Sequence, residues 1–275
     1  MSDHASESTR ANERTGTART SSITYSTSQI AKIAGLHPNT VRMYEQWELI
    51  QKPARKQNGY RQFTEVHVKQ FELAKKAFGV EVLQSGLRKR MVEAVKLSAQ
   101  YRFDEAECTV REYIQIAQRE LENAKSAAAL CEALFQADLH NGETYTRAQA
   151  AAHLHVTVDT LRNWELNGLI SVKRRQNGYR IYDENDMVRL RIIRALRCAN
   201  YSLSAILRML NALETKHASQ TALYELLNTP NEDEDIVSVC DRLALSLEEA
   251  IANAHDALRI LGELKTMQPD TQAGN

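Results

Sequence analysis

Two stretches of the chain carry apolar residues at spacings of three and four that persist over many helical turns. In the first, Ala106, Val110, Tyr113, Ala117, Leu121, Ala124, Ala128, Cys131 and Phe135 recur in this way. In the second, Ile236, Cys240, Leu243, Leu247, Ala250, Ala254, Ala257, Leu261 and Leu264 keep a strict alternation of four and three. Seams of this period lie on one face of an α-helix and need a partner helix, so both stretches predict long rods of coiled-coil type. At about 1.5 Å per residue the rods would be roughly 55 and 45 Å long. The acidic residues Glu232, Asp233, Glu234 and Asp235 stand at the start of the second rod, where the helix macrodipole favours negative charge.

Ahead of each rod the pattern shortens. Ser26 or Thr27 can cap a short helix with an apolar face of Ile30, Ile33 and Ala34. Gly35 ends it, Leu36 fills the turn, and Pro38 opens a second helix that runs to about Trp47. Leu49-Ile50 and a basic loop follow, then Asn58-Gly59, which predicts a tight hairpin with both turn positions at positive φ. Helix, glycine turn, helix and hairpin together predict a winged helix-turn-helix.

The unit occurs twice. Tyr25-Ser26-Thr27-Ser28-Gln29-Ile30-Ala31 aligns with Tyr145-Thr146-Arg147-Ala148-Gln149-Ala150-Ala151 at an offset of 120 residues. The same offset pairs Thr40, Arg42, Glu45, Leu49 and Ile50 with Thr160, Arg162, Glu165, Leu169 and Ile170. Gln57-Asn58-Gly59-Tyr60-Arg61 then recurs without change as Gln176-Asn177-Gly178-Tyr179-Arg180 at an offset of 119, so one residue is lost from the intervening loop. The expected organisation is a disordered tail at 1–22, a first module at 23–92, a long helix at 93–141 and a second module at 142–212. A linker with the acidic run follows at 213–235, then a C-terminal helix at 236–266 and a tail at 267–275. The fold class is therefore mainly α, with two winged helix-turn-helix domains, each followed by a long coiled-coil helix.

Charge sharpens the picture. The formal net charge is zero, yet Lys32, Arg42, Lys52, Arg55, Lys56, Arg61, Lys69, Lys75 and Lys76 crowd the first module against Glu45, Glu48, Glu65 and Glu72. The second module has a similar excess, with Arg174, Arg175, Arg189, Arg191, Arg194 and Arg197 prominent. Two basic modules on a neutral chain are the electrostatic footprint of a polyanion reader. Within them, His37, Asn39, Thr40, Arg42 and Tyr44 belong to the first recognition helix, and Arg55, Lys56, Tyr60 and Arg61 to its wing. Thr157, Asp159, Thr160, Arg162 and Trp164 are the second helix's counterparts, with Arg174, Arg175, Tyr179 and Arg180 on the second wing. Tyr44, Trp164, Tyr60 and Tyr179 have a second reading as core aromatics that join wing to helix. The run Arg189 to Arg197 reads as a solvated helix face rather than a groove reader.

Other classes are disfavoured. No apolar run approaches the ~18 residues of a membrane span, and residues 1–22 lack the apolar segment of a secretory signal. Cys108, Cys131, Cys198 and Cys240 form no C-x-x-C pair, which suits a reducing cytoplasm and argues against a disulfide scaffold or thiolate metal site. His153 and His155 have no acid or thiol nearby in the sequence to complete a metal site. No phosphate-cradling glycine loop, dinucleotide fingerprint, H-E-x-x-H or placed nucleophile occurs, so neither catalysis nor a cofactor is expected.

The segments Thr40-Val41-Arg42-x-Tyr44-Glu45, Leu49-Ile50, Pro53, Arg55 and Asn58-Gly59-Tyr60-Arg61-x-Phe63 resemble the DNA-binding domain of the MerR family. So do Thr160-Leu161-Arg162-x-Trp164-Glu165, Gly168-Leu169-Ile170 and Asn177-Gly178-Tyr179-Arg180-x-Tyr182. Together the two matches cover about half of the chain. The resemblance implies a transcriptional regulator that binds double-stranded DNA, meets RNA polymerase, distorts its operator and dimerises through an antiparallel pair of long helices. Three positions depart from the family pattern: Glu48 stands where the second copy has Gly168, and Met43 and Asn163 replace the usual Tyr.

Only Asn141-Gly142-Glu143 separates the first rod from the second module, a length that suits two halves of such a dimer joined in one chain. The expected form is an intramolecular pseudo-dimer, with helix 104–140 antiparallel to helix 236–265; the alternative is a homodimer with four modules. His37-Pro38-Asn39 differs from Thr157-Val158-Asp159, so the two half-sites should differ as well. An architectural protein that bends DNA in recombination or segregation would use the same modules.

Overall fold

The computed structural model describes residues 23–80, 86–136, 143–172, 180–215, 220–230 and 239–267. The 1–22 tail, the acidic run, Ile236, His140 and the second wing's Arg174, Arg175 and Tyr179 lie outside the described residues.

The first module opens with α1 (Thr27–Ala34) and α2 (Pro38–Gln46). Ser26 caps α1 in a reciprocal box with Gln29, and Gly35 ends it at φ 67°, the left-handed conformation that glycine adopts without steric cost. Pro38 occupies the first turn of α2, where a missing N–H costs nothing, and His37 Nδ1 accepts the Asn39 N–H at 3.2 Å. The wing is β1 (Ala54–Arg55) paired antiparallel with β2 (Arg61–Gln62), and a bridge from Tyr25 to Phe63 ties the chain before α1 to its base. Its turn differs from the expected two-residue form. Gly59 N–H bonds Lys56 O and Lys56 N–H bonds Tyr60 O, both at 2.8 Å, so three residues make the loop. Gly59 has φ 80° and Asn58 is not at positive φ, which is a turn closed by a glycine bulge.

Helices α3 (Glu65–Ala77) and α4 (Leu87–Ala99) complete this module. Ile30, Ala31, Val41, Ile50, Phe63 and Phe71 form its own core. The chain then turns at Tyr101, φ 61°, into α5 (Phe103–Gln136). Residues 93–99 thus belong to α4, and the rod begins at Phe103 rather than at 93, because the left-handed turn breaks the helix between them.

The second module repeats the plan. The strand β3 (Tyr145–Thr146) leads into α6 (Arg147–His153), then α7 (Val158–Leu166), β4 (Ile181–Tyr182), α8 (Glu184–Cys198) and α9 (Leu203–Thr215). β3 pairs with β4, Tyr145 opposite Tyr182, which reproduces the Tyr25 to Phe63 bridge. The left-handed positions trade residue types between copies. His155 (φ 49°) stands where the first has Gly35, and Glu48 (φ 58°) where the second has Gly168 (φ 75°). Helix α10 (Gln220–Asn228) lies within the stretch expected to be a linker. It is held by Arg208, which donates to Leu226 O at 2.8 Å and Asp241 O at 2.7 Å, and by Asn228 Oδ1, which accepts the Ala244 N–H at 2.8 Å.

The last rod is α11 (Leu243–Thr266), preceded by a 3-10 turn at Val239–Arg242, so its regular part starts later than 236. It packs along α5. The pairs Lys265 with Asp104 and Lys125 with Glu248, the latter at 3.0 Å, put the end of α11 beside the start of α5 and the start of α11 beside the second half of α5. The two run antiparallel. Ala106, Ala117, Ala124 and Ala128 on α5 and Ala250, Ala254 and Ala257 on α11 are all buried, and small side chains at these positions let the helix axes approach closely. No helix among the described residues is long and apolar enough to cross a membrane.

Each module leans on the rod that follows the other. α11 lies against α3 and α5 against α8. The first contact carries Lys69–Glu263 and Lys76–Asp256, both at 2.6 Å; the second carries Asn200 Nδ2 to Glu120 Oε2 at 3.3 Å.

Candidate nucleic-acid interface

In the first module, α1, α2 and the wing enclose a cleft of about 680 Å³. Ser26, Thr27, Ser28 and Gln29 line one side, Arg42 the floor, and Lys56, Asn58, Tyr60 and Arg61 the other. Hydroxyls, an amide and cations around the start of a helix are the groups that grip a phosphodiester backbone. Tyr60 is 72% exposed at the wing tip, a large aromatic with no core to serve. Arg42 Nη1 donates to Asn39 Oδ1 at 2.6 Å across one turn of α2, and both side chains are exposed. His37 is exposed too, while Thr40 is partly buried behind it.

Two of the wing cations have structural duties. Arg61 Nε donates to Glu45 on α2, and Arg55 Nη2 lies 3.5 Å from the same carboxylate. Arg55 Nη1 also closes the hairpin on Gly59 O at 3.2 Å. Arg61 therefore borders the cleft while its charge is compensated by Glu45, whose side chain is only 10% exposed. Lys56 has no such partner among the described residues. Part of the module's basic excess points elsewhere altogether, since Lys69 and Lys76 pair with acids of α11.

Trp164 is mainly a core residue, and only its edge borders the second module's cleft. At 4% exposure its indole is part of the core, because the apolar face of α7 that buries Leu161 carries it inward. Tyr44 is partly buried and stacks on Phe71, centroids 5.6 Å apart, so its ring is spent on joining α2 to α3; burial also raises the pKa of its hydroxyl. Of the remaining second-module residues, Thr157 caps α7 by accepting the Thr160 N–H at 3.1 Å, and Asp159 and Arg162 are exposed. Arg180 Nε sits 2.7 Å from Glu165 Oε2, repeating the Arg61 to Glu45 lock. Here Arg147 adds a second guanidinium at 2.7 Å and the Tyr182 hydroxyl a third donor.

Arg194 and Arg197, expected on a solvated helix face, stand at a cleft. It measures about 620 Å³ and is shared with Thr157, Asp159, Thr160 and Asn163, beside the first turn of α7. Arg189 and Arg191 are tied inward, to Leu169 O at 2.7 Å and to Glu184 at 3.0 Å, and Arg197 also donates to Tyr201 O at 2.6 Å while it borders the cleft. The repeat held the signal: at the offset of 119, Arg194 corresponds to Lys75, whose ammonium approaches the helix turn at Gly35 in the first module.

His153, His155 and Cys131 have places in the fold. His153 meets Tyr145 edge-on at 5.0 Å, and His155 occupies the left-handed turn. Cys131 is fully buried in the rod seam, and burial pushes its thiol up to about 12. Cys108 and Cys198 are exposed.

The family described as MerR HTH family regulatory protein matches this chain at residues 25–89 and again at 145–213. Among curated proteins, the HTH-type transcriptional regulator CueR of Escherichia coli O6:H1 and that of Escherichia coli O157:H7 are each 38% identical over 61 residues. That alignment covers 22% of this chain and 45% of either relative. No solved structure matches. The chain therefore belongs to the MerR family, with the family's helix-turn-helix domain present twice in tandem.

Proposed function

We propose that this protein is a transcriptional regulator of the cytoplasm that binds double-stranded DNA sequence-specifically and reads two successive, non-identical half-sites with one polypeptide. The observation that carries the reading is the crossed support of the modules: α11 braces the first and α5 the second. In a family whose members dimerise through paired long helices, that crossing is what two chains would supply to each other. Here one chain supplies both halves, as an intramolecular pseudo-dimer.

Supporting this, the matched relatives are named as transcriptional regulators. The two heads differ in the residues they present, Asn39 and Arg42 against Asp159 and Arg162. Rods of 34 and 24 residues, roughly 50 and 35 Å long, are of the order of one duplex turn, the spacing of consecutive half-sites. Polymerase would meet the assembly on the DNA, where bending of the operator alters promoter geometry.

Selection of sites from a random duplex pool tests the reading. The expected product is one bipartite site with unlike halves, each needed for tight binding. A perfect palindrome, or no enrichment, would contradict it.

A further inference from the structure

The first turns of the two recognition helices differ in hydrogen-bonding character, although each helix goes on to present an arginine, Arg42 or Arg162. On α2, Asn39 Oδ1 is occupied by Arg42 at 2.6 Å, which leaves the amide NH2 and the rest of the guanidinium, all donors, exposed. On α7 the corresponding pair is Asp159 and Arg162, and no hydrogen bond or ion pair joins Asp159 to any described residue. Asp159 is exposed, and its neighbour Val158 is 44% exposed although apolar. The hydroxyl of Thr157 is committed to Thr160, to its N–H at 3.1 Å and its Oγ1 at 2.8 Å. The first turn of α7 thus offers an acceptor-only carboxylate beside a branched methyl surface.

We infer that Asp159 is a specificity determinant of the second module, accepting a hydrogen bond from the exocyclic amine of a cytosine, with Val158 against the 5-methyl of an adjacent thymine. This rests on the reading that both heads enter the major groove. A carboxylate there is repelled by phosphates and by the acceptors of guanine, O6 and N7. Adenine offers an amine, but its N7 acceptor lies beside it and opposes a second oxygen. Cytosine carries no acceptor beside its N4 amine on its own ring, where C5–H is the neighbour, so a carboxylate can approach from that side, and thymine supplies the apolar patch that matches Val158. The donor-bearing Asn39 and Arg42 suit purines instead. The asymmetry of the operator then has a stated chemistry: a purine-reading head and a pyrimidine-reading head on one chain.

Site selection with the full chain and with Asp159→Asn tests this. The wild type is expected to prefer cytosine over adenine about tenfold at one position of one half-site. Asp159→Asn should exchange that preference for adenine, because a carboxamide pairs with N6 and N7 together, and should leave the other half-site unchanged. Asp159→Ala should lose the preference without acquiring a new one. If both variants bind every sequence more tightly with the preference unaltered, Asp159 is only a repulsive charge and the inference is overturned. A bipartite site indifferent to Asp159 overturns this inference alone, whereas a wild-type selection without any bipartite site overturns the functional reading and the inference with it.

Discussion

Glu45 on the recognition helix holds Arg61 at the base of the wing, and in the second module Glu165 holds Arg180 in the same way. The repeated pair locks the second helix of each module to its wing, the two elements that the proposed function sends into DNA together. It also changes what each wing cation is expected to do.

Lys56→Ala should reduce the slope of log affinity against log salt by about 0.9, the release of one phosphate's counterion, with stability unchanged. Arg61→Ala should instead lower thermal stability and weaken binding through a loosened wing, with a smaller change in slope. Titrations at several salt concentrations, beside melting curves, separate the two. Equal slopes for wild type and Lys56→Ala would remove Lys56 from the interface.

The second lock has more donors. The Glu165 side chain is 9% exposed and faces Arg147, Arg180 and the Tyr182 hydroxyl. Arg147→Met should cost on the order of 1–3 kcal/mol, because a largely buried carboxylate loses one of its compensating charges. Denaturant unfolding measures it. The corresponding residue of the first module is Thr27, so Thr27→Ala at that position should cost much less.

Acid should loosen the first module before the second. His67 is buried, and burial lowers its pKa from 6.5 to about 4, against smaller opposing effects of the Gln51 backbone and the charge of Glu45. The folded state therefore resists a proton that the unfolded chain takes up. Stability should be full above pH 6.5, fall as pH drops towards 4, and level off below, a loss on the order of 3 kcal/mol. In His67→Gln, which can still accept the Thr64 N–H as the histidine does at 3.0 Å, that window should flatten. The same slope in both proteins would assign the acid sensitivity elsewhere. The second module has Asp186 at this position, accepting from Asp183 N–H at 3.1 Å.

Glu48 adopts φ 58° to close α2, with Leu49 N–H bonded to Tyr44 O at 2.9 Å. The second module makes the equivalent bond from Leu169 to Trp164 O at 3.0 Å with Gly168 at the turn. The departure at Glu48 thus leaves the closure intact and adds strain. Glu48→Gly should raise stability by about 0.5–1 kcal/mol, and Gly168→Ala should lower it by a similar amount or more. A destabilised Glu48→Gly would show that the glutamate side chain contributes more than its backbone costs.

The repeat and the rod seams were legible because helical periodicity and an unchanged five-residue block are local signals. Every described seam residue is buried except Cys240, which lies in the 3-10 turn and is only partly covered. The start of α5 was not legible, since nothing in Gln100-Tyr101-Arg102 marks Tyr101 as left-handed. The wing turn was read one residue too tight because Asn-Gly serves both hairpin forms, and strand register, set at Arg55 opposite Arg61, chooses between them. Within the site, exposure and pairing were the hidden terms. Trp164 and Arg162 are two positions apart on one helix, about 200° around its axis, so the face that packs on the core buries one and the opposite face exposes the other. Arg61 and Lys56 look alike in a charge map, and only the fold brings Glu45 to the first.

The native mass of the full chain bound to a duplex with both half-sites tests the central claim most directly. One polypeptide per duplex, unchanged as protein is added beyond equivalence, is the expected result. Two polypeptides on a single bipartite site, with no singly loaded complex at limiting protein, would contradict it.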